Sequence, residues 1–132
     1  EYYHVQDWNC AVTTLRILAE VFDVDLSPQV LDAALGMYGA GGYRAQCGLV
    51  EGALMAIGII GKDHDLSDDT ITKACYEFAE QFERRFRSLT CRELRPEGFS
   101  PDNPPHLCEP LTREAVLFDI AFVSELTEGR GA

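Results

Sequence analysis

The sequence predicts an all-α fold: a single-domain bundle of about five helices. A glycine-rich loop precedes the third helix and a long proline-rich loop precedes the last. Three observations lead there. Apolar residues recur at the helical spacing of three and four along most of the chain. The two-residue alternation of half-buried strands is essentially missing. Cap residues, prolines and glycines fall where the periodic stretches begin and end. A chain of 132 residues suits one domain around one core, and neither an internal repeat nor a linker divides it.

The elements follow in order. Asn9 is a good N-cap, so the first helix is expected from there to about Phe22, with Ala11, Leu15, Leu18 and Phe22 at helical spacing. The second lies in "DLSPQVLDAALGMYG". Ser27 caps it, Pro28 takes the first position, and Gly36 or Gly39 ends it. "GAGGYRAQ" is the glycine-rich loop. The third helix starts at about Cys47 and covers "CGLVEGALMAIGII"; it is apolar nearly all round and therefore expected to be central and buried. After "GKDHD" the fourth helix is capped by Ser67 or Asp68 and reaches about Leu89. Ile71, Cys75, Phe78, Phe82, Phe86 and Leu89 form its stripe, with Glu77, Glu80, Glu83, Arg84 and Arg87 outward. The last helix is expected from about Leu111 to Leu126, with Val116, Ile120 and Val123 or Phe122 inward. Residues 126–132, ending in "TEGRGA", are expected to form a flexible tail.

Composition narrows the function classes. Apolar residues make up 46% of the chain, enough to fold. The formal charge of −11 argues against nucleic acid and anionic membrane surfaces as partners, since both call for clustered Lys and Arg. The longest apolar run, "GALMAIGIIG", is too short to span a bilayer, so no membrane insertion is expected. No secretory pattern opens the chain, and a cytoplasmic location is the expectation, with a leader lost ahead of Glu1 left open. The apolar excess leaves a homodimer open.

Five cysteines stand at positions 10, 47, 75, 91 and 108. There is no C-x-x-C, which removes zinc-ribbon, thioredoxin and ferredoxin signatures. Joint action by these residues has to be assembled in three dimensions. Cys10 and Cys47 fall at the starts of the first and third helices, Cys91 just past the fourth, and Cys108 just before the last. Cys75 alone falls mid-helix in an aromatic stripe, where a thiol packs as a small hydrophobe. Helix starts stabilise thiolates through unpaired N–H groups and the macrodipole, although helix ends are numerous in any bundle. Gly39, Gly41, Gly42, Gly48 and Gly52 crowd one stretch. Gly48 and Gly52 share a helix face, leaving either a groove beside Cys47 or a surface for close helix packing.

"CRELRPEGFSPDNPPHLC" joins Cys91 to Cys108. Pro96, Pro101, Pro104 and Pro105 stiffen it, with Pro110 just beyond. A loop held by a cysteine at each end can wrap and cover a centre. A Cys91–Cys108 disulfide explains it equally well and would stabilise the chain by roughly 3 kcal/mol. Four thiolates can hold a [2Fe–2S] or [4Fe–4S] cluster or a tetrahedral zinc, or can pair as two disulfides. His106 could ligate or tune such a centre, Arg44 could offset its charge, and Glu51 could couple a proton to it. His4 and His64 receive no role, and Trp8, Tyr2 and Tyr3 near the first cysteine are read as packing residues. No serine–histidine–acid set and no H-E-x-x-H can be read.

The order "NCA", "CGLVEGALMAIG", "CRELRP", "LCEP" resembles the bacterial and archaeal family of redox-active proteins named C_GCAxxG_C_C for its cysteine pattern. The resemblance runs from about Asn9 to Leu126. It sets the four family cysteines on Cys10, Cys47, Cys91 and Cys108 and leaves out Cys75. The C-G-A-x-x-G motif falls on Cys47, Gly48 and Gly52, with Leu49 where Ala is usual. The resemblance implies a redox role, with an iron–sulfur cluster, [2Fe–2S] favoured, on the four cysteines and beside Gly48 and Gly52. Zinc is the alternative cofactor. It also implies an oxidoreductase or transport-linked protein partner, and an accessory electron-transfer role rather than a stand-alone enzyme. A similar module occurs in split-Soret cytochromes, but this chain lacks C-x-x-C-H, so covalent haem is not expected. Thiol/disulfide redox chemistry, or a module merely stapled by zinc or disulfides, stays open beside the cluster.

Overall fold

A computed structural model describes residues 10–37, 39–43, 45–94 and 109–131. Five helices carry the architecture: α1 (Cys10–Val21), α2 (Pro28–Ala33), α3 (Gly48–Asp63), α4 (Asp68–Phe86) and α5 (Glu109–Gly131). Two four-residue turns, Gly39–Gly42 and Cys91–Leu94, complete the described chain. Among the described residues there is no strand, only an isolated antiparallel bridge between Gln46 and Thr90. No described helix is long and apolar enough to cross a membrane.

α3 is the centre of the bundle, as its apolar composition requires. Leu49, Val50, Ala53, Ala56, Ile57 and Ile60 are buried on it, and it packs against α1, α4 and α5. α3 and α4 form a hairpin. Leu66 N–H returns to Gly61 O at 2.9 Å and Asp65 takes a left-handed φ of 61° to make the turn. Gly61 lets the two helices close, because a Cβ there would lie 2.7 Å from Ile71 Cγ1. Ser67 caps α4 by accepting from Thr70 N–H at 3.1 Å, and Asp68 and Asp69 sit in the first turn, where the macrodipole favours them.

α5 runs antiparallel to α4. Phe122 meets Phe78 at 5.4 Å between ring centroids, Phe118 meets Phe82 at 5.9 Å and Phe86 at 5.8 Å, and Glu114 pairs with Arg85 at 3.9 Å. Numbers thus rise along one helix as they fall along the other. The start of α5 therefore lies at the end of the hairpin where α4 finishes.

Several expected boundaries move. α2 stops at Ala33, well short of Gly36. Val30 and Leu31 pack against the core and Ala34 is fully buried, but beyond Ala33 the chain tightens into three-residue turns, Leu35 N–H returning to Asp32 O at 3.2 Å and Met37 N–H to Ala34 O at 3.1 Å. In the glycine-rich stretch Ala40 (φ 57°) and Gly41 (φ 67°) are consecutive left-handed residues, which breaks any regular helix there. α4 ends at Phe86 rather than Leu89, because Arg87 turns left-handed (φ 73°) while its N–H closes on Glu83 O at 2.6 Å. α5 extends beyond Leu126 to Gly131, through the segment expected to be a flexible tail. Leu126 is buried, which holds these last turns on the core, and Thr127 Oγ1 donates back to Val123 O at 3.0 Å. Glu77 is half-buried rather than outward.

Candidate cysteine centre

Cys10 opens α1 and is buried, 6% exposed; Cys47 caps α3 and is 3% exposed. Cys47 has the extended backbone of an N-cap (φ −66°, ψ 139°), and its carbonyl accepts from Val50 and Glu51 N–H at 3.0 Å each. Its side chain makes no capping hydrogen bond. The first-turn carboxylate, Glu51, accepts instead from Gln46 Nε2. That ties down the residue before Cys47 and occupies Glu51 with a structural contact.

Gly48 and Gly52 bring α1 onto α3. A Cβ on Gly48 would lie 2.9 Å from Cys10 Cβ and 2.9 Å from Ala11 N; one on Gly52 would lie 2.4 Å from Ala11 O. Of the two readings of this glycine pair, the contacts are those of close helix packing: the face is filled by α1 rather than left as an open groove. The packing has a consequence for the sulfurs. Adding one Cα–Cβ bond and one Cα–Cα step to the 2.9 Å gap keeps Cys10 Cβ within about 8 Å of Cys47 Cα. The glycines thus bring two cysteine-bearing helix starts together.

The third cysteine reaches the same end through the backbone. Gln46 bridges Thr90, and Cys47 N–H donates to Leu89 O at 2.8 Å. This closes the open end of the α3–α4 hairpin directly beside the turn that Cys91 begins. The turn is braced by its own polar set. Ser88 Oγ and Thr90 Oγ1 donate to Glu93 Oε1 at 2.7 and 3.0 Å, Thr90 N–H donates to Ser88 Oγ at 3.0 Å, and Leu94 N–H returns to Thr90 O at 3.0 Å. These bonds hold the Glu93 carboxyl below its ordinary range, Ser88 contributing most. The sequence signal for this brace is T-x-x-E, the spacing of a capping box.

The side chain of Cys91 and the whole of Cys108, His106, Arg44, His4, Trp8, Tyr2 and Tyr3 lie outside what is described. Cys108 is bonded to Glu109, the first residue of α5, and that end of α5 lies beside the end of α4. Among the described residues no group of three or more His, Cys, Asp or Glu side chains could hold a metal ion; of the four candidate cysteines, Cys10 and Cys47 have described side chains. Those two suit a sulfur-ligated group. Both are buried at helix starts, where partial positive charge stabilises thiolate, and Cys47 does not spend its sulfur on the cap.

Cys75 stands apart. It lies eleven residues before Phe86 on α4, about 16 Å back along the axis. It is half-buried rather than enclosed, and burial pushes its thiol pKa up, which suits a core thiol. His64 is exposed at the end of α3. One buried group escapes the sequence reading: Asp119, 0% exposed on α5, whose pKa burial drives well above 3.8. Its signal is a carboxylate at an inward position between Val116 and Val123.

A family model described as "Putative redox-active protein (C_GCAxxG_C_C)" matches residues 8–119. No curated protein and no solved structure matches the chain.

Proposed function

The chain belongs to the C_GCAxxG_C_C family of redox-active proteins, and on that premise we propose that Cys10, Cys47, Cys91 and Cys108 hold an iron–sulfur cluster, [2Fe–2S] favoured, that exchanges electrons with a partner oxidoreductase. The observation that carries this reading is the packing of the Cys10 helix start against Gly48, the residue after Cys47, with the Cys91 turn paired alongside. When bound, such a cluster supplies one-electron chemistry at a potential tuned by charge, burial and hydrogen bonds to sulfur. The chain's own residues do the rest. The α1 and α3 starts put partial positive charge beside thiolate sulfur, and Glu93 with Ser88 and Thr90 fixes the turn that carries the third ligand.

Anaerobic purification followed by iron, sulfide and zinc analysis tests the proposal. The expected product is brown, contains iron and acid-labile sulfide in about equal amounts, and bleaches on reduction. Colourless protein that stays without iron after reconstitution, or that carries zinc alone, contradicts it.

A second reading rests on the same closeness. Were the Cys10 and Cys47 thiols to close to bonding distance from this contact, they would lose two electrons and two protons to a partner's disulfide, which leaves as two thiols. Iron-free protein with a reducible Cys10–Cys47 bond in peptide mapping would select it.

A further inference from the structure

We infer that Thr13, Thr14 and Asp119 form a small polar binding site inside the bundle, between α1 and α5, whose occupant is ordered water bridging the carboxyl to the threonine hydroxyls. Asp119 and Thr14 are 0% exposed and Thr13 is 2% exposed. Thr13 Oγ1, Thr14 Oγ1 and both Asp119 carboxyl oxygens have no hydrogen-bond partner, and among the described residues they are the only buried side-chain oxygens of that kind. Ser88, another buried hydroxyl, is satisfied by Glu93.

All four atoms belong to two helices that pack against each other. On α5, Phe118 and Phe122 turn towards the aromatic row of α4. Asp119 falls on the neighbouring stripe with Ala115, Val116 and Val123, which is buried in the core. The buried residues of α3 are all apolar, Ser88 is occupied by Glu93, and Thr112 lies two turns back on α5 itself, so the buried polar side chains a neighbouring helix offers Asp119 are those of α1.

Leaving a buried polar group unsatisfied costs about 1–3 kcal/mol. Four such atoms together would offset most of the stability of a small domain. A water making two to four hydrogen bonds removes that cost. Water also suits the chemistry better than a cation. Burial favours the protonated acid at Asp119, and an acid O–H, its carbonyl oxygen and two hydroxyls offer both donors and acceptors. Thr13 and Thr14 lie three and four residues after Cys10, on the same helix face. The site therefore brings solvent-like hydrogen bonding into the apolar core one turn from a candidate ligand.

A double-mutant cycle on the full chain tests this, pairing Asp119→Leu with the combined Thr13→Val and Thr14→Val change. Shared water makes the changes non-additive. The unfolding constant of the combined variant should differ about tenfold from the product of the separate effects, with Asp119→Leu better tolerated in the valine background. A high-resolution crystal structure should show water within hydrogen-bond distance of the Asp119 carboxyl and a threonine oxygen. Should the leucine variant not fold, Asp119→Asn keeps a polar group and must retain that water. Additive effects, a dry interface, or a metal ion at the position overturns the inference.

Discussion

At Gly52 a single hydrogen atom sets how closely two helices approach. A methyl group there would lie 2.4 Å from Ala11 O, which is backbone and cannot swing aside, whereas Gly58 has nothing within 4 Å of the same position. Gly52→Ala is expected to cost about 1–3 kcal/mol and to weaken whatever the cysteines hold. Gly58→Ala should be neutral or stabilising by up to about 1 kcal/mol. Urea unfolding of the two variants side by side checks this; equal effects would remove the packing role assigned to Gly52. Asp119 gives a second prediction at this scale. Its folded pKa is raised above its unfolded value near 3.8. Its contribution to stability is thus fully present below that value and is lost as pH rises towards the folded pKa. Wild type should lose stability relative to Asp119→Asn across that rise, measured as unfolding free energy at a series of pH values. A constant difference between the two would contradict the burial of an ionisable group there. The sequence places Asp119 among inward residues, but a lone carboxylate in such a stripe is ordinarily read past, because only the packed neighbours decide whether it reaches water.

Among the elements, α4 and α5 are joined by rings rather than by close backbone. Phe82 is 0% exposed and touches Phe78, Phe86 and Phe118. Phe82→Ala should cost about 3–5 kcal/mol in denaturant unfolding; a loss under 1 kcal/mol would mean that α5 is held by something else. The spacing of Phe78, Phe82 and Phe86 is local information, and so is the Ser67 cap, which is why α4 could be drawn from the sequence nearly residue by residue. Its end could not. Arg87 is not a residue type that announces a left-handed turn, and the stop depends on the chain returning to pair Thr90 with Gln46. α2 fails as a long helix for a similar reason. Its caps are legible, but the tightening into turns after Ala33, with Ala34 drawn into the core and Leu35 left outside, is a property of the packed molecule.

In the molecule as a whole, the hairpin α3–α4, the α1–α3 contact and the antiparallel run of α5 gather chain positions far apart in sequence at one end. The helix starts at Cys10 and Cys47 and the break near Cys91 are visible in the sequence. Their convergence is not, because it depends on Gly48 and Gly52 meeting Ala11 and on the closing bridge at Thr90. The glycine pair is legible as a small-residue face, yet groove and packing surface look alike until a partner helix fills it. Cys75 is legible as the odd cysteine from its place in the aromatic stripe, and its distance along α4 agrees. The central claim is that the cysteines of this end act together while Cys75 does not. The most direct measurement is iron and acid-labile sulfide per chain in anaerobically purified wild type, Cys47→Ser and Cys75→Ser. The account predicts iron and sulfide in wild type, full retention in Cys75→Ser and loss of most of both in Cys47→Ser. Equal content in all three, or none in the wild type after reconstitution, would contradict it.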